Sequence, residues 1–234
     1  MDAVVFDLET TFTYEKGQTP EIIEIGARKI NLSDPQSAQM QTFQCYTHPE
    51  IRGKIGLRTR KFIGMKEADL QRVVPFQQGI RQFIDWLGDD YYLCSWGGDD
   101  RLLFVEHCAR YGISLNWLKN YNDIQPAISQ YLSGRTQMKL KDAVLQSGLE
   151  VQGRLHSALT DSINTANLLM KHRAHVELER NAPEENYSMS CALYWKCRRC
   201  SKEKYYTAFS GSKRFCLECA ASKQEVQSTS LVRE

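Results

Sequence analysis

Ala3, Val4, Val5 and Phe6 form an apolar, partly β-branched run that predicts a buried strand, and Asp7 and Glu9 follow with period-2 spacing on one face. A polar stretch over residues 12–20 predicts a loop or hairpin turn. Residues 21–30 alternate in part and predict a second strand. Turn residues at 31–35 lead into a third strand over 41–47, which Pro49 ends. Three strands joined by short connections predict an antiparallel meander.

The period then changes. Residues 66–73 predict a short helix, and 75–87 place Phe76, Ile80, Phe83, Ile84 and Leu87 on one helix face, with Gly88 as the residue that ends it. A strand over 91–96 is broken by Gly97 and Gly98. Asp99 and Asp100 open a helix that runs to Arg110, where carboxylates can also cap free N–H groups. Further helices are predicted over 123–132 and 139–149, and the longest over 156–172, with Leu159, Ile163, Ala166, Leu168, Leu169 and Met170 apolar. Three strands, then alternating helix and strand, then helices, predict an α/β domain with a mixed sheet. The polar, proline-bearing stretch at 182–186 reads as a linker. The expected organisation is a main domain over residues 1–180, a linker over 181–192, a cysteine-rich module over 193–222 and a flexible tail over 223–234.

Composition narrows the class. With 234 residues, 42% hydrophobic and 25% charged, the chain reads as soluble and globular, and no apolar run approaches the roughly 18 residues of a membrane span. No membrane partner is expected. Asp2, Asp7 and Glu9 interrupt the N-terminal apolar residues, so no signal peptide is expected and the cytosol is the default compartment. Eight cysteines in such a chain are free thiols or metal ligands before they are disulfides. Net charge is +2, but residues 195–219 hold seven Lys or Arg and two Glu, a local +5 that leaves the remainder at −3.

Cys197-x-x-Cys200 and Cys216-x-x-Cys219 are separated by 15 residues, the spacing of a four-cysteine zinc ribbon holding one structural Zn²⁺. Around them Tyr194, Trp195, Tyr205, Tyr206, Phe209 and Phe215 interleave with Lys196, Arg198, Arg199, Lys202, Lys204, Lys213 and Arg214. Rings for bases and cations for phosphates suit a single-stranded nucleic acid. A small aromatic core with solubilising charges, or a protein-docking surface, fits the same residues. Arg52, Lys54, Arg58, Arg60 and Lys61 likewise read as a phosphate guide or a solvated loop. His48, His107, His172 and His175 lack ligand partners at useful spacing and read as packing or surface histidines, and Cys45, Cys94 and Cys108 as small core residues. Cys191 is a fifth cysteine beside a complete set of four.

Asp7 and Glu9 are hard oxygen ligands that suit Mg²⁺ or Mn²⁺, although alone they equally read as a solvated pair at a strand end. Carboxylates recur at Asp99-Asp100 and at Asp161, preceded by His156. Together these segments resemble the three motifs of the DEDDh-type 3′–5′ exonucleases, whose last motif is H-x-x-x-x-D. The stretches at 21–26 and 95–101 are most similar to the branch with the Eri-type and KapD-like enzymes and RNase T. The resemblance covers roughly residues 3–175 and implies an RNase H-like fold, with helices flanking the mixed sheet. It implies that Asp7, Glu9, Asp100 and Asp161 hold two Mg²⁺ or Mn²⁺ ions. Asp100 matches the pattern better than Asp99, which would then cap the helix. Two cations about 4 Å apart can clamp the attacking and leaving oxygens of a phosphoryl displacement. His156 is the implied general base, a role suited to a pKa near operating pH. Five residues make about 1.4 helical turns, so His156 and Asp161 do not share a stripe, and His156 is expected just before the helix.

The implied activity is release of nucleoside 5′-monophosphates from the 3′ ends of single-stranded RNA or DNA, RNA favoured. Leu8 is then a contact to the terminal nucleotide, or a core residue that alternation turns away from the carboxylates. Thr10 and Thr11 donate to the 3′-terminal hydroxyl, or end the strand. Trp96 is a stacking platform for a base, or core. The rival is a nucleic-acid-binding or adaptor protein with a silent nuclease fold, recruiting a protein partner through the ribbon. Five competent residues at the catalytic positions weigh against it.

Overall fold

The computed structural model describes residues 1–12, 20–34, 41–187, 194–205, 215–216 and 218–219. Its centre is a six-stranded mixed sheet in the order β4-β3-β2-β1-β5-β6. The expected meander is there: β1 (Asp2–Thr10) pairs antiparallel with β2 (Ile22–Asn31), and β2 with β3 (Gln41–His48). On the other side β5 (Tyr91–Ser95) and β6 (Tyr121–Asp123) run parallel to β1. The carboxyl ends of three parallel strands therefore meet at one edge, where open α/β sheets place their sites.

β1 is central because it is apolar on both faces. Val4, Phe6 and Leu8 join one core cluster with Phe83 of α2 (Phe76–Leu87) and Phe104 of α3 (Asp99–Arg110). Ala3 and Val5 join the opposite cluster, with Ile128 of α4 (Gln125–Ser133), Ala143 of α5 (Leu140–Gln146) and Leu168 of α6 (Ala158–Lys171). A strand covered by helices on both faces reads as a continuous hydrophobic run, as this one does. Asp7 and Glu9 extend the Ala3–Val5 face beyond the apolar layer, towards the start of α6.

Elements too short for their periods to show depart from expectation. The basic run after β3 contains α1 (Leu57–Ile63), which buries Thr59 and Ile63. A 3₁₀ turn (Glu67–Arg72) and the two-residue β4 (Val74–Pro75) follow. β6 has three residues, so α4 begins at Gln125 instead of 123. Residues 181–187, expected as the start of a linker, are bound to the domain. Asn181 exchanges hydrogen bonds with Tyr121, and Asn186 of α7 (Pro183–Tyr187), 4% exposed, donates to the Leu118 carbonyl at 2.8 Å. Asparagine amides dock this segment, so its composition looked solvated. The tail over 223–234 and most of the aromatic and basic residues of the cysteine-rich module lie outside the described residues. Within that module, β7 (Tyr194–Lys196) and β8 (Glu203–Tyr205) form an antiparallel pair. Among the described residues no helix is long and apolar enough to cross a membrane.

Candidate active site

Register assembles the site. Across the β1–β2 ladder Asp7 stands opposite Gly26 and Glu9 opposite Glu24, so these four positions share the face that α6 covers. α6 comes down on Gly26 so closely that a Cβ there would lie 2.0 Å from the Leu159 nitrogen and 2.1 Å from the Ala158 carbonyl carbon. Only glycine fits. That approach brings Asp161, in the first turn of α6, against the carboxylates of β1. From the next strand, the turn Gly97-Gly98 delivers the N-terminus of α3, where Asp100 accepts a hydrogen bond from the Leu8 backbone. Asp99 is exposed and lines the same cleft beside Asp100, and Gly98 is the N-cap residue.

His156 lies two residues before α6 with φ +65, a conformation that side chains adopt at a cost of roughly 1–3 kcal/mol. Its backbone N–H donates to Asp161 Oδ2 at 2.9 Å, and its ring stacks on Phe62 of α1 with centroids 4.3 Å apart. Phe62 in turn meets the Phe12 ring edge-on at 5.0 Å, and the Arg58 guanidinium lies over Phe12. Ligand atoms of Glu9, His156 and Asp161 fall within 4.8 Å of one another.

The carboxylates oppose one another electrostatically. Burial first, then Asp100, Asp161, Glu9 and Glu24, hold Asp7 far above the usual carboxylate range. Burial, then Glu24, Asp161 and Asp100, pushes Glu9 to about 8. Burial and then Asp99 push Asp100 to about 8, against the Leu8 hydrogen bond. Asp161 is raised by burial, with the His156 N–H pulling the other way. Asp161 Oδ1 is buried with no hydrogen-bond partner. An all-oxygen donor set, an orphaned carboxylate oxygen and uncompensated negative charge fit hard divalent cations such as Mg²⁺ or Mn²⁺.

Asp7 and Asp100 open into a cleft of about 480 Å³ bordered by Trp96, Asp123, Gln125 and Gln137. Trp96 lines it with its indole N–H fixed on the Met138 carbonyl at 2.9 Å, while it also packs against the core. Leu8 is 7% exposed within the core cluster on the far face of β1, which places it among apolar side chains rather than at the site. Thr11 is committed as well. Its hydroxyl accepts the Glu21 N–H at 3.0 Å while its own N–H donates to the Glu21 carbonyl, an arrangement that closes the strand and leaves the side chain buried. Thr10 is half-buried at the bulged end of β1.

Three residues at the site were not foreseen. Glu24 looked like part of a strand and reaches the site through cross-strand register. Asp123 fixes the turn before α3 by accepting the Gly97 and Gln125 N–H groups. Phe62 sits in the helix hidden by the basic run. Far along the chain, the ligand atoms of Cys197, Cys200, Cys216 and Cys219 lie within 4.8 Å of one another, and Cys197 Sγ accepts the Cys216 N–H at 3.3 Å.

A mixed sheet that gathers four carboxylates and a histidine from its H-x-x-x-x-D segment at the end of its central strand defines a nuclease of the DEDDh class. The chain belongs to the exonuclease family of the RNase T type, whose model matches residues 4–169. Among solved structures it is similar to the nuclease domain of 3′hExo, a DEDDh family member bound to rAMP. That match is 26% identical, covers 77% of this chain and 96% of that one, and has a TM-score of 0.65. Cell-death related nuclease 4 (16% identical; 74% of this chain and 64% of that one; TM-score 0.64) shares the fold. So does E. coli exonuclease I in complex with a dT13 oligonucleotide (10%; 74% and 41%; TM-score 0.57). No curated protein matches the chain.

Proposed function

We propose that the chain is a metal-dependent 3′–5′ exonuclease that hydrolyses the terminal phosphodiester of single-stranded nucleic acid, RNA in preference to DNA, and releases nucleoside 5′-monophosphates. The observation that carries this reading is the convergence of Asp7, Glu9, Asp100 and Asp161 with His156. Two divalent cations held by the four carboxylates would supply charge neutralisation at the reacting phosphate and an acidified water. His156 would accept a proton from an attacking water, its ring held in place by Phe62 and its backbone by Asp161. The exposed edge of Phe62, with Phe12 and Arg58 behind it, offers a terminal nucleotide an apolar face and a cation. Trp96 borders the cleft that Asp7 and Asp100 line, and Thr10, one residue after Glu9, is the candidate donor to a 3′-terminal hydroxyl. RNA is favoured because the more similar of the two ligand-bound relatives carries rAMP. The test is 5′-end-labelled RNA and DNA of one sequence, incubated with Mg²⁺, with Mn²⁺ and with EDTA. A ladder shortening from the 3′ end with either metal, absent in EDTA and faster on RNA, is the expected result. Tight binding without product under every condition would instead favour an adaptor with a silent site.

The four cysteines suit one structural Zn²⁺. Tetrahedral thiolates at about 2.3 Å from zinc stand about 3.8 Å apart, and Cys200 Sγ and Cys216 Sγ are 3.9 Å apart. Closing a segment this short on a metal supplies folding energy that its few apolar residues lack. The ribbon would bring basic charge, and a surface for nucleic acid or a protein partner, to the exonuclease domain. Native mass spectrometry is expected to find one zinc per chain, lost in a Cys197→Ser/Cys216→Ser variant. A wild-type chain without zinc would remove this part of the reading.

A further inference from the structure

Glu24 is 0% exposed, and among the described residues no cation pairs with it. Its Oε1 accepts from Gln44 Nε2 at 2.8 Å and from the Ser157 hydroxyl at 3.1 Å, with a longer contact from the Leu159 N–H at 3.5 Å, and its Oε2 has no partner. It also faces Glu9 across the ladder and makes that carboxyl harder to ionise, while burial raises its own against the hydrogen bonds from Gln44 and the start of α6. A buried acid beside another acid is an expensive choice for a strand. What it holds is the first turn of α6, immediately after His156.

We infer that Glu24 is a positioning residue whose Oε1, by anchoring Ser157 and the start of α6 to β2, sets the left-handed turn that puts the His156 imidazole over Phe62 and towards Glu9 and Asp161. The inference rests on the nuclease reading for its kinetic consequence but not for its structural one. The turn has three ties: the His156 N–H on Asp161, the ring on Phe62, and Ser157 on Glu24. The first two lie on the His156 side of the segment. Ser157 on Glu24 is the tie that runs to the sheet carrying Asp7 and Glu9, beside the close seating of α6 on Gly26, so Glu24 helps to set the distance between the base and the carboxylates. A displacement of about 1 Å at a reacting group costs on the order of 10²-fold in rate.

The test compares Glu24→Ala, Glu24→Gln and Ser157→Ala by kinetics and by NMR of histidine-labelled full-length protein, with the His156 signal assigned through His156→Gln. Glu24→Ala is expected to lower kcat by on the order of 10²-fold with little change in KM, and to move the His156 ring-proton resonances out of the Phe62 ring current. Glu24→Gln keeps an acceptor oxygen and is expected to retain most of both. Ser157→Ala, a change at a half-buried side chain that spares the strand, is expected to reproduce part of the loss, and adding it to Glu24→Ala should cost little more. Wild-type kcat and unshifted His156 resonances in Glu24→Ala would overturn the inference, as would Glu24→Gln behaving like Glu24→Ala, which would make charge the operative property. If Glu24→Ala does not fold, Ser157→Ala and Glu24→Gln decide. If the wild type shows no nuclease activity, the proposed function fails separately, and the resonance shifts still test the placement of His156.

Discussion

Asp7→Asn should abolish nuclease activity, by on the order of 10³-fold or more, and at the same time make the metal-free protein more stable. The two effects have one cause. Asp7 is surrounded by Asp100, Asp161, Glu9 and Glu24, and burial and repulsion together hold its carboxyl far above the normal range. Asparagine keeps the shape and has no proton to lose, so the proposed cation site loses a ligand and the empty site loses the cost of keeping this acid un-ionised. A melting temperature in EDTA above that of the wild type, together with loss of the Mg²⁺-induced rise, checks both halves. A variant less stable than the wild type in EDTA would mean that the carboxylates are neutralised by something within the chain.

The same repulsion fixes a pH dependence. Glu9 and Asp100, each pushed to about 8, hold protons in the folded state that the unfolded chain has already released above about pH 5. Their contribution to stability is fully present below the unfolded value and is lost as pH rises through 8. His107, pushed down to about 4 by burial and then by Arg110, acts in the opposite direction, with its stabilisation complete only above the unfolded histidine value. Cys197, pushed down to about 6 by backbone hydrogen bonds, gains stability across the same range, so the window from about pH 6.5 to 8 isolates the carboxylates in the Cys197→Ser/Cys216→Ser chain. There the melting temperature in EDTA should fall with rising pH, and Mg²⁺ should flatten the fall.

Gly26→Ala is the other large effect. Its Cβ would meet backbone atoms of Leu159 and Ala158 at 2.0 and 2.1 Å, neither of which can rotate away. Either α6 rides up by more than about 1 Å or β2 bends. Overpacking of this severity costs about 3 kcal/mol or more, which lowers the melting temperature by about 6–12 °C in a domain of this size. The lifted helix carries Asp161 and the His156 turn with it, so activity should fall by at least on the order of 10²-fold even in the folded fraction. Near-normal activity in Gly26→Ala would mean that α6 does not seat on β2 as closely as the geometry requires.

The chain announces its central strand because β1 is apolar on both faces, and period 2 alone puts Asp7 and Glu9 side by side. Asp100 and Asp161 were legible only through the resemblance, since each is one carboxylate near a helix start. The side chains between and after the acids were harder to read. Leu8 turns away because alternation sends it into the core, and Thr11 is occupied by the backbone of Glu21, ten residues on. Glu24 was hidden in plain view: its role depends on which residue of β1 it faces, and register is a property of two strands together. α1, β6 and α7 are short enough that tertiary contacts decide them, with Ile63 buried in one and Asn186 hydrogen-bonded in another.

The most direct measurement is digestion of one single-stranded sequence as a linear molecule and as a closed circle, by wild type and Asp7→Asn in Mg²⁺, with products separated by chromatography. The expected result is nucleoside 5′-monophosphates from the earliest times with the linear molecule, an intact circle, and nothing from the variant. Cleavage of the circle, or products left unchanged by Asp7→Asn, would contradict it.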